Sequence, residues 1–164
     1  MFRIGHSKDT HRFVEGRPLI LGGVKIDYKY GLLGHSDADV VLHAVAESLI
    51  GALGLGDLGT HFPDNDPSFK NKESSFFVSE ALKMVNVHHY NICNIDITVY
   101  LEEPHLKDYK PLMKENIARL LNVTSNKVNV KATRGEGLGF IGRKEGICSE
   151  AIVLLEKQAF HKKL

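Results

Sequence analysis

The hydrophobic pattern of this chain changes period several times, and that alternation limits the folds open to it. Ile95, Ile97 and Val99 recur every second residue between Asn94 and Tyr100, as in a strand with one buried face. Leu112, Met113, Ile117, Leu120 and Leu121, between Asp108 and Leu121, recur at helical spacing instead. Further strands are expected at Phe2 to His6, on both sides of the Gly22-Gly23 turn between Pro18 and Ile26, at Lys127 to Thr133 and at Gly146 to Leu155. A first helix is expected to start near Asp37 or Asp39, either of which can cap it, and to stop around Gly54. Another is expected over Glu73 to Val87, through Phe76, Phe77, Ala81, Leu82 and Val85. No P-loop is present, and no expected strand runs through a G-x-G-x-x-G turn into an expected helix, so the pattern predicts an α+β fold rather than a dinucleotide-binding sheet. The expected form is a compact single-domain sandwich, a mixed β-sheet with about three helices packed on one face.

Bulk properties agree with a single domain. The chain has 164 residues, 43% apolar and 25% charged, enough for one core. A net charge of +1 offers no global field to recruit nucleic acid or an anionic membrane, so neither partner is expected. Met1 to His6 lacks a signal-peptide core and no apolar run is long enough to span a bilayer. A soluble cytoplasmic protein is expected, or one of a plastid-type organelle if a transit peptide has been removed. Cys93 and Cys148 sit in separate apolar runs and read as buried free thiols, which suits a reducing compartment. Residues 158–164 form a polar tail beyond a domain of 1–157.

Four groups of residues are equipped for chemistry. Asp9 and His11, two apart, point the same way on extended backbone, and His43 lies one helical turn beyond Asp39. Two imidazoles and a carboxylate suit an open zinc site, and equally a two-histidine, one-carboxylate iron site. His35 and Ser36 precede Asp37 and Asp39. Ser and Asp there read as helix caps, whereas a histidine beside free helix amides makes sense if an anionic ligand binds. Asp57, Asp64 and Asp66 fall in a turn-rich stretch, where they either stabilise turns or accept bonds from a diol. Lys131 to Arg143 contains four glycines among Thr133, Arg134 and Glu136: a flexible connection, or a phosphate cradle with a carboxylate for a hard cation.

Taken in order, G-H-x-x-D-x-H at 5–11, L-L-G-H-S-D-A-D…L-H at 32–43, L-G-D-L-G…F-P-D-x-D at 55–66, V-N-V-K-A-T at 128–133 and L-G-F-x-G-R at 138–143 resemble the 2-C-methyl-D-erythritol 2,4-cyclodiphosphate synthase family of the non-mevalonate isoprenoid pathway. The resemblance covers Phe2 to about Glu156. It implies a homotrimer with active sites at subunit interfaces, and a reaction in which the 2-phosphate of a cytidine diphosphate substrate attacks its β-phosphorus and releases CMP.

By the same resemblance Asp9, His11 and His43 bind one Zn²⁺ per subunit, and Glu136 holds a Mg²⁺ or Mn²⁺ ion with the diphosphate. His35 and Arg134 stand at the implied catalytic positions. Substrate contacts are implied for Asp9, Thr10, His11, His35 and Ser36, and for Asp57, Leu58 and Gly59 at the ribose. Phe62, Pro63, Asp64, Asn65 and Asp66 are implied at the methylerythritol side. Leu101, Pro104, His105, Leu106 and Lys107 are implied at the cytosine pocket of a neighbouring subunit, completed by Ala132 and Thr133, and further substrate contacts are implied for Arg134, Gly135, Glu136, Phe140 and Arg143. The chain departs from the family in Thr133-Arg134-Gly135-Glu136, where Thr-Thr-Thr-Glu is usual. It departs also at Lys8 for an aromatic residue, Glu47 for aspartate and His105 for lysine. Arg143 and Glu145 resemble residues lining the trimer axis, and by themselves read as a surface ion pair.

Overall fold

The computed structural model describes residues 1–34, 36–63, 65–69 and 72–159. The chain runs through β1 (Phe2–Val14), β2 (Leu19–Leu21), β3 (Val24–Ile26), β4 (Gly31–Leu32), α1 (Val40–Leu53), the single turn α2 (Leu58–His61), α3 (Ser74–Val87), β5 (Tyr90–Tyr100), α4 (Lys110–Leu120), β6 (Val128–Thr133), the short α5 (Gly139–Gly142) and β7 (Gly146–Lys157). Five strands form one sheet in the order β4-β1-β7-β5-β6, while β2 and β3 pair as a separate hairpin. Only β5 and β6 run parallel in that sheet. The fold is the expected α+β domain.

β1 is much longer than the strand expected at Phe2 to His6: it continues to Val14 because its second half pairs with the start of β7, His11 opposite Ile147 and Arg12 opposite Gly146. Inward positions here are held by Ser7, Asp9 and His11, so no apolar alternation betrays the strand. β1 presents Gly5 and Ser7 to α1 at very close range. A Cβ built on Gly5 would lie 1.9 Å from the backbone oxygen of Ser48, so only glycine permits this approach. α1 is buried on nearly all sides, between the sheet and α3, which explains its run of small and β-branched residues.

Asp39, not Asp37 or Ser36, caps α1: its carboxylate accepts from the amides of Val41 and Leu42, and Gly54 ends the helix at φ 73°. The same carboxylate accepts from Gly22 and Gly23, tying the β2–β3 turn to the helix start. The sheet face away from the helices stays open, with Phe2 and Ile4 of β1 and Ile152 of β7 exposed. Both cysteines are free, but Cys93 is half-buried rather than buried, at a register break between β5 and β7. Among the described residues no helix is long and apolar enough to cross a membrane. Of the expected tail, Gln158 is bound back through its amide to the His89 carbonyl, and 160–164 lie outside the described residues.

Candidate metal centre

Strand geometry sends Asp9 and His11 to the face that α1 covers, and the first turn of α1 brings His43 down onto them. Asp9 Oδ2 lies 3.0 Å from His11 Nε2 and 3.1 Å from His43 Nδ1, and the two nitrogens are 3.4 Å apart. Ligand atoms around a tetrahedral zinc with bonds of about 2.0–2.1 Å are separated by about 3.3 Å, so the donor triangle fits one face of such a site. It is the one such His/Cys/Asp/Glu group among the described residues.

The outer nitrogens of both rings are engaged as well. His11 Nδ1 sits 2.7 Å from the Leu33 carbonyl, which can only accept, so Nδ1 carries a proton and Nε2 is the nitrogen turned to Asp9. His43 Nε2 is 2.9 Å from Ser74 Oγ. Burial pushes the Asp9 carboxyl upward, but bonds from His11 and His43 outweigh it and hold Asp9 well below the usual carboxylate range. For His11 burial favours the neutral ring, and Asp9 overrides it and raises the pKa.

The triad stands in a cleft of about 580 Å³. Its walls include Ser36 and Gly34 from the turn before α1, Leu58 and Gly59 of α2, and Phe62, Pro63, Asn65 and Asp66 beyond it. Sequence reasoning missed Phe69, Lys72 and Phe77 as wall residues; nothing in their local pattern distinguishes them from core or turn residues. Glu47, one turn after His43, also faces the cleft, its carboxyl pushed up by burial and further by Asp57 and Asp9. Phe62 joins an aromatic cluster with Phe69, Phe76 and Phe77 that stiffens the wall. Asp57 caps α2 by accepting from Thr60, and Asp66 accepts from the Ser68 amide, so the turn reading of these carboxylates holds whatever else they bind. His35 and Asp64 lie outside the described residues. Thr10 does not line the cleft: strand alternation turns it to the other side of the sheet, where it meets Cys148.

The other expected contacts are not brought to this cleft within one chain. Thr133 is opposite Tyr100, Tyr100 opposite Cys148, and Cys148 opposite Thr10, which sets β6 about 14 Å from β1 at ordinary strand spacing. Leu101 and Leu106 are buried, while His105, Lys107, Ala132 and Thr133 are exposed on that distant side. The glycine-rich segment is an ordered turn and not a loose connection: Gly142 packs so closely on Gly137 that a Cβ would sit 2.1 Å from its backbone. Glu102, only 7% exposed and missed by sequence reasoning, binds Arg134 at 2.8 Å and the Gly135 amide at 2.9 Å. Glu136 follows at φ 51°, exposed, and Phe140 is also exposed. Arg143 makes a two-pronged pair with Glu145, as the plain surface reading expects.

The profile of the YgbB family matches residues 2–156. A 2-C-methyl-D-erythritol 2,4-cyclodiphosphate synthase of Geobacillus sp. (strain WCH70) is 51% identical over 158 residues, 96% of this chain and all of that protein. One from Clostridium perfringens (strain 13 / Type A) is 52% identical, covering 94% and 99%. Among solved structures, the bifunctional IspDF of Campylobacter jejuni superposes with a TM-score of 0.92 at 43% identity, over 96% of this chain and 43% of that longer one. The IspF CDP complex of Plasmodium falciparum gives a TM-score of 0.85 at 35% identity, covering 96% and 97%. With a family profile over nearly its whole length and relatives identical at half their positions, the chain belongs to the YgbB family.

Proposed function

We propose that the chain is a 2-C-methyl-D-erythritol 2,4-cyclodiphosphate synthase, a phosphorus–oxygen lyase of isoprenoid precursor biosynthesis. Its substrate is 4-diphosphocytidyl-2-C-methyl-D-erythritol 2-phosphate. An oxygen of the 2-phosphate forms a bond to the β-phosphorus, the bond from that phosphorus to the bridging oxygen breaks, and CMP departs with that oxygen. The strongest support is the donor triangle of Asp9, His11 and His43 at the cleft floor, in a chain whose relatives carry that name.

The three donors would hold zinc, and Glu136 a Mg²⁺ or Mn²⁺ ion; such cations supply positive charge to phosphate oxygens that otherwise repel one another. The protein's own task is orientation. Ser36 can donate to a phosphate oxygen, Glu47 can accept from a hydroxyl, and the Phe62, Pro63 and Phe69 wall excludes water that would compete with the internal nucleophile. No side chain needs to attack, because the nucleophile belongs to the substrate. Residues 101–107 and 132–136, out of reach of their own chain's cleft, are free to complete the cleft of a neighbouring copy. The open sheet face with Phe2, Ile4 and Ile152 offers the apolar surface for a homotrimer built that way.

The test is CMP release from this substrate, with and without chelator, by wild type and His43→Ala. Expected are turnover only in the metal-loaded wild type, and loss of both zinc and turnover in His43→Ala. Full turnover under chelation overturns the metal's part, and CMP binding without any turnover overturns the catalytic assignment.

A further inference from the structure

Behind His43 lies a chain of side chains that the reaction described above does not use. His43 Nε2 is 2.9 Å from Ser74 Oγ, and Ser74 Oγ in turn makes a close hydrogen bond to Asp37 Oδ1. Ser74 is fully buried, at the first position of α3. The Ser74 amide also donates to Asp37 Oδ2, at 3.1 Å, so a carboxylate from another segment does for α3 what its own N-cap residue, Glu73, does not.

Proton accounting gives this relay a direction. A carboxylate only accepts, so the single hydroxyl proton of Ser74 goes to Asp37. Ser74 Oγ can then only accept from His43, which places an imidazole proton on Nε2 and leaves Nδ1, turned to Asp9 and His11, as the nitrogen that would give its lone pair to a metal. We propose that Ser74, oriented by Asp37, is a positioning residue that sets the tautomer and ring direction of His43 for metal binding. The inference rests on the metal reading of the triad.

The same relay braces the turn ahead of α1. Ser36 and Ala38, on either side of Asp37, both adopt left-handed backbone at φ 54° and 53°. Such a conformation costs non-glycine residues about 1 kcal/mol or more and persists only where the surroundings impose it. Here Arg17 donates to the Gly34 and Ser36 carbonyls, and Ser74 grips Asp37 from the other side. Asp37 therefore serves the turn that carries Ser36 into the cleft and the ring that completes the donor triangle, and a disturbance at Ser74 reaches both.

The test measures zinc affinity by competition with a chromophoric chelator, in the full chain and in Ser74→Ala, with urea unfolding of the metal-free proteins as a fold control. Alanine keeps the backbone donor to Asp37, so α3 retains its start while the Nε2 proton of His43 loses its acceptor. Expected is zinc binding weaker by about 10–100-fold, the usual scale for an outer partner of a ligating histidine. In the zinc-loaded wild type, ¹⁵N-histidine spectra should show a slowly exchanging Nε2 proton on His43. Affinity of Ser74→Ala within about threefold of wild type overturns the role of Ser74, and so does an Nε2 proton that exchanges as freely as an exposed imidazole's. A wild type that binds no zinc overturns instead the metal reading beneath it.

Discussion

Replacing Asp39 with alanine removes one carboxylate that serves four backbone amides. Oδ1 accepts from Gly22 at 2.9 Å, Val41 at 3.0 Å and Leu42 at 3.1 Å, and Oδ2 accepts from Gly23 at 2.6 Å. Asp39 is 0% exposed, so water does not take over these bonds when the side chain is cut back. Loss of the helix cap costs about 1 kcal/mol. Leaving the Gly22 and Gly23 amides without a partner adds about 1–3 kcal/mol each, for a total of about 3–7 kcal/mol. In a chain of this length the melting temperature should fall by about 10–20 °C. Urea unfolding at fixed protein concentration, followed by circular dichroism in chelator, measures the loss without a contribution from metal. Asp39→Asn keeps one acceptor oxygen but turns an NH₂ toward amide donors, so it should lose at least half as much. A loss below about 1 kcal/mol in the alanine variant would refute the reasoning, since the cap alone accounts for that much.

Gly5→Ala pushes a methyl group into the Ser48 carbonyl and forces β1 and α1 apart; a loss of about 2–4 kcal/mol is expected by urea unfolding, and unchanged stability would deny the close approach. Arg134→Ala leaves the Glu102 carboxylate, only 7% exposed, without its cation and with the Gly135 amide as its partner, so urea unfolding should show a measurable loss of stability. Turnover should fall about 100-fold if Arg134 stabilises the reacting phosphates, and an unchanged kcat would remove it from the catalytic set. Burial pushes the Cys148 thiol up, with its Thr10 hydrogen bond opposing only in part, so less of it is thiolate at any given pH. At pH about 8 iodoacetamide should therefore label half-buried Cys93 well ahead of Cys148, which mass spectrometry of digests resolves; equal labelling would contradict the burial.

Much of the fold was legible from local signals. Asp39 and Gly54 bracket α1, the Gly22-Gly23 pair marks the hairpin turn, and alternation in Ile95, Ile97 and Val99 marks β5. These features depend on residues a few positions apart, and a sequence displays such spacing directly. β1 is longer than its sequence pattern indicates because its inward side is polar: Ser7, Asp9 and His11 interrupt the apolar alternation by which strands are recognised. Ser74 and Glu102 were missed for a related reason. A serine at a helix start and a glutamate two residues before a proline are unremarkable until their partners, Asp37 and Arg134, arrive from elsewhere in the chain.

By itself, then, the sequence determined the element types, the caps and the D-x-H pair with its matching histidine, together with the family motifs that suggest their chemistry. Only the tertiary structure decided that His43 meets Asp9 across 34 residues, that Ser74 meets the ring of His43 from behind, and that Thr133 to Glu136 lies on the far side of the sheet from the triad. Periodicity and capping arise from short-range sterics and hydrogen bonding, which each segment carries with it. The order of strands in the sheet comes from the burial of whole faces against one another, and that order sets which side chains share a site.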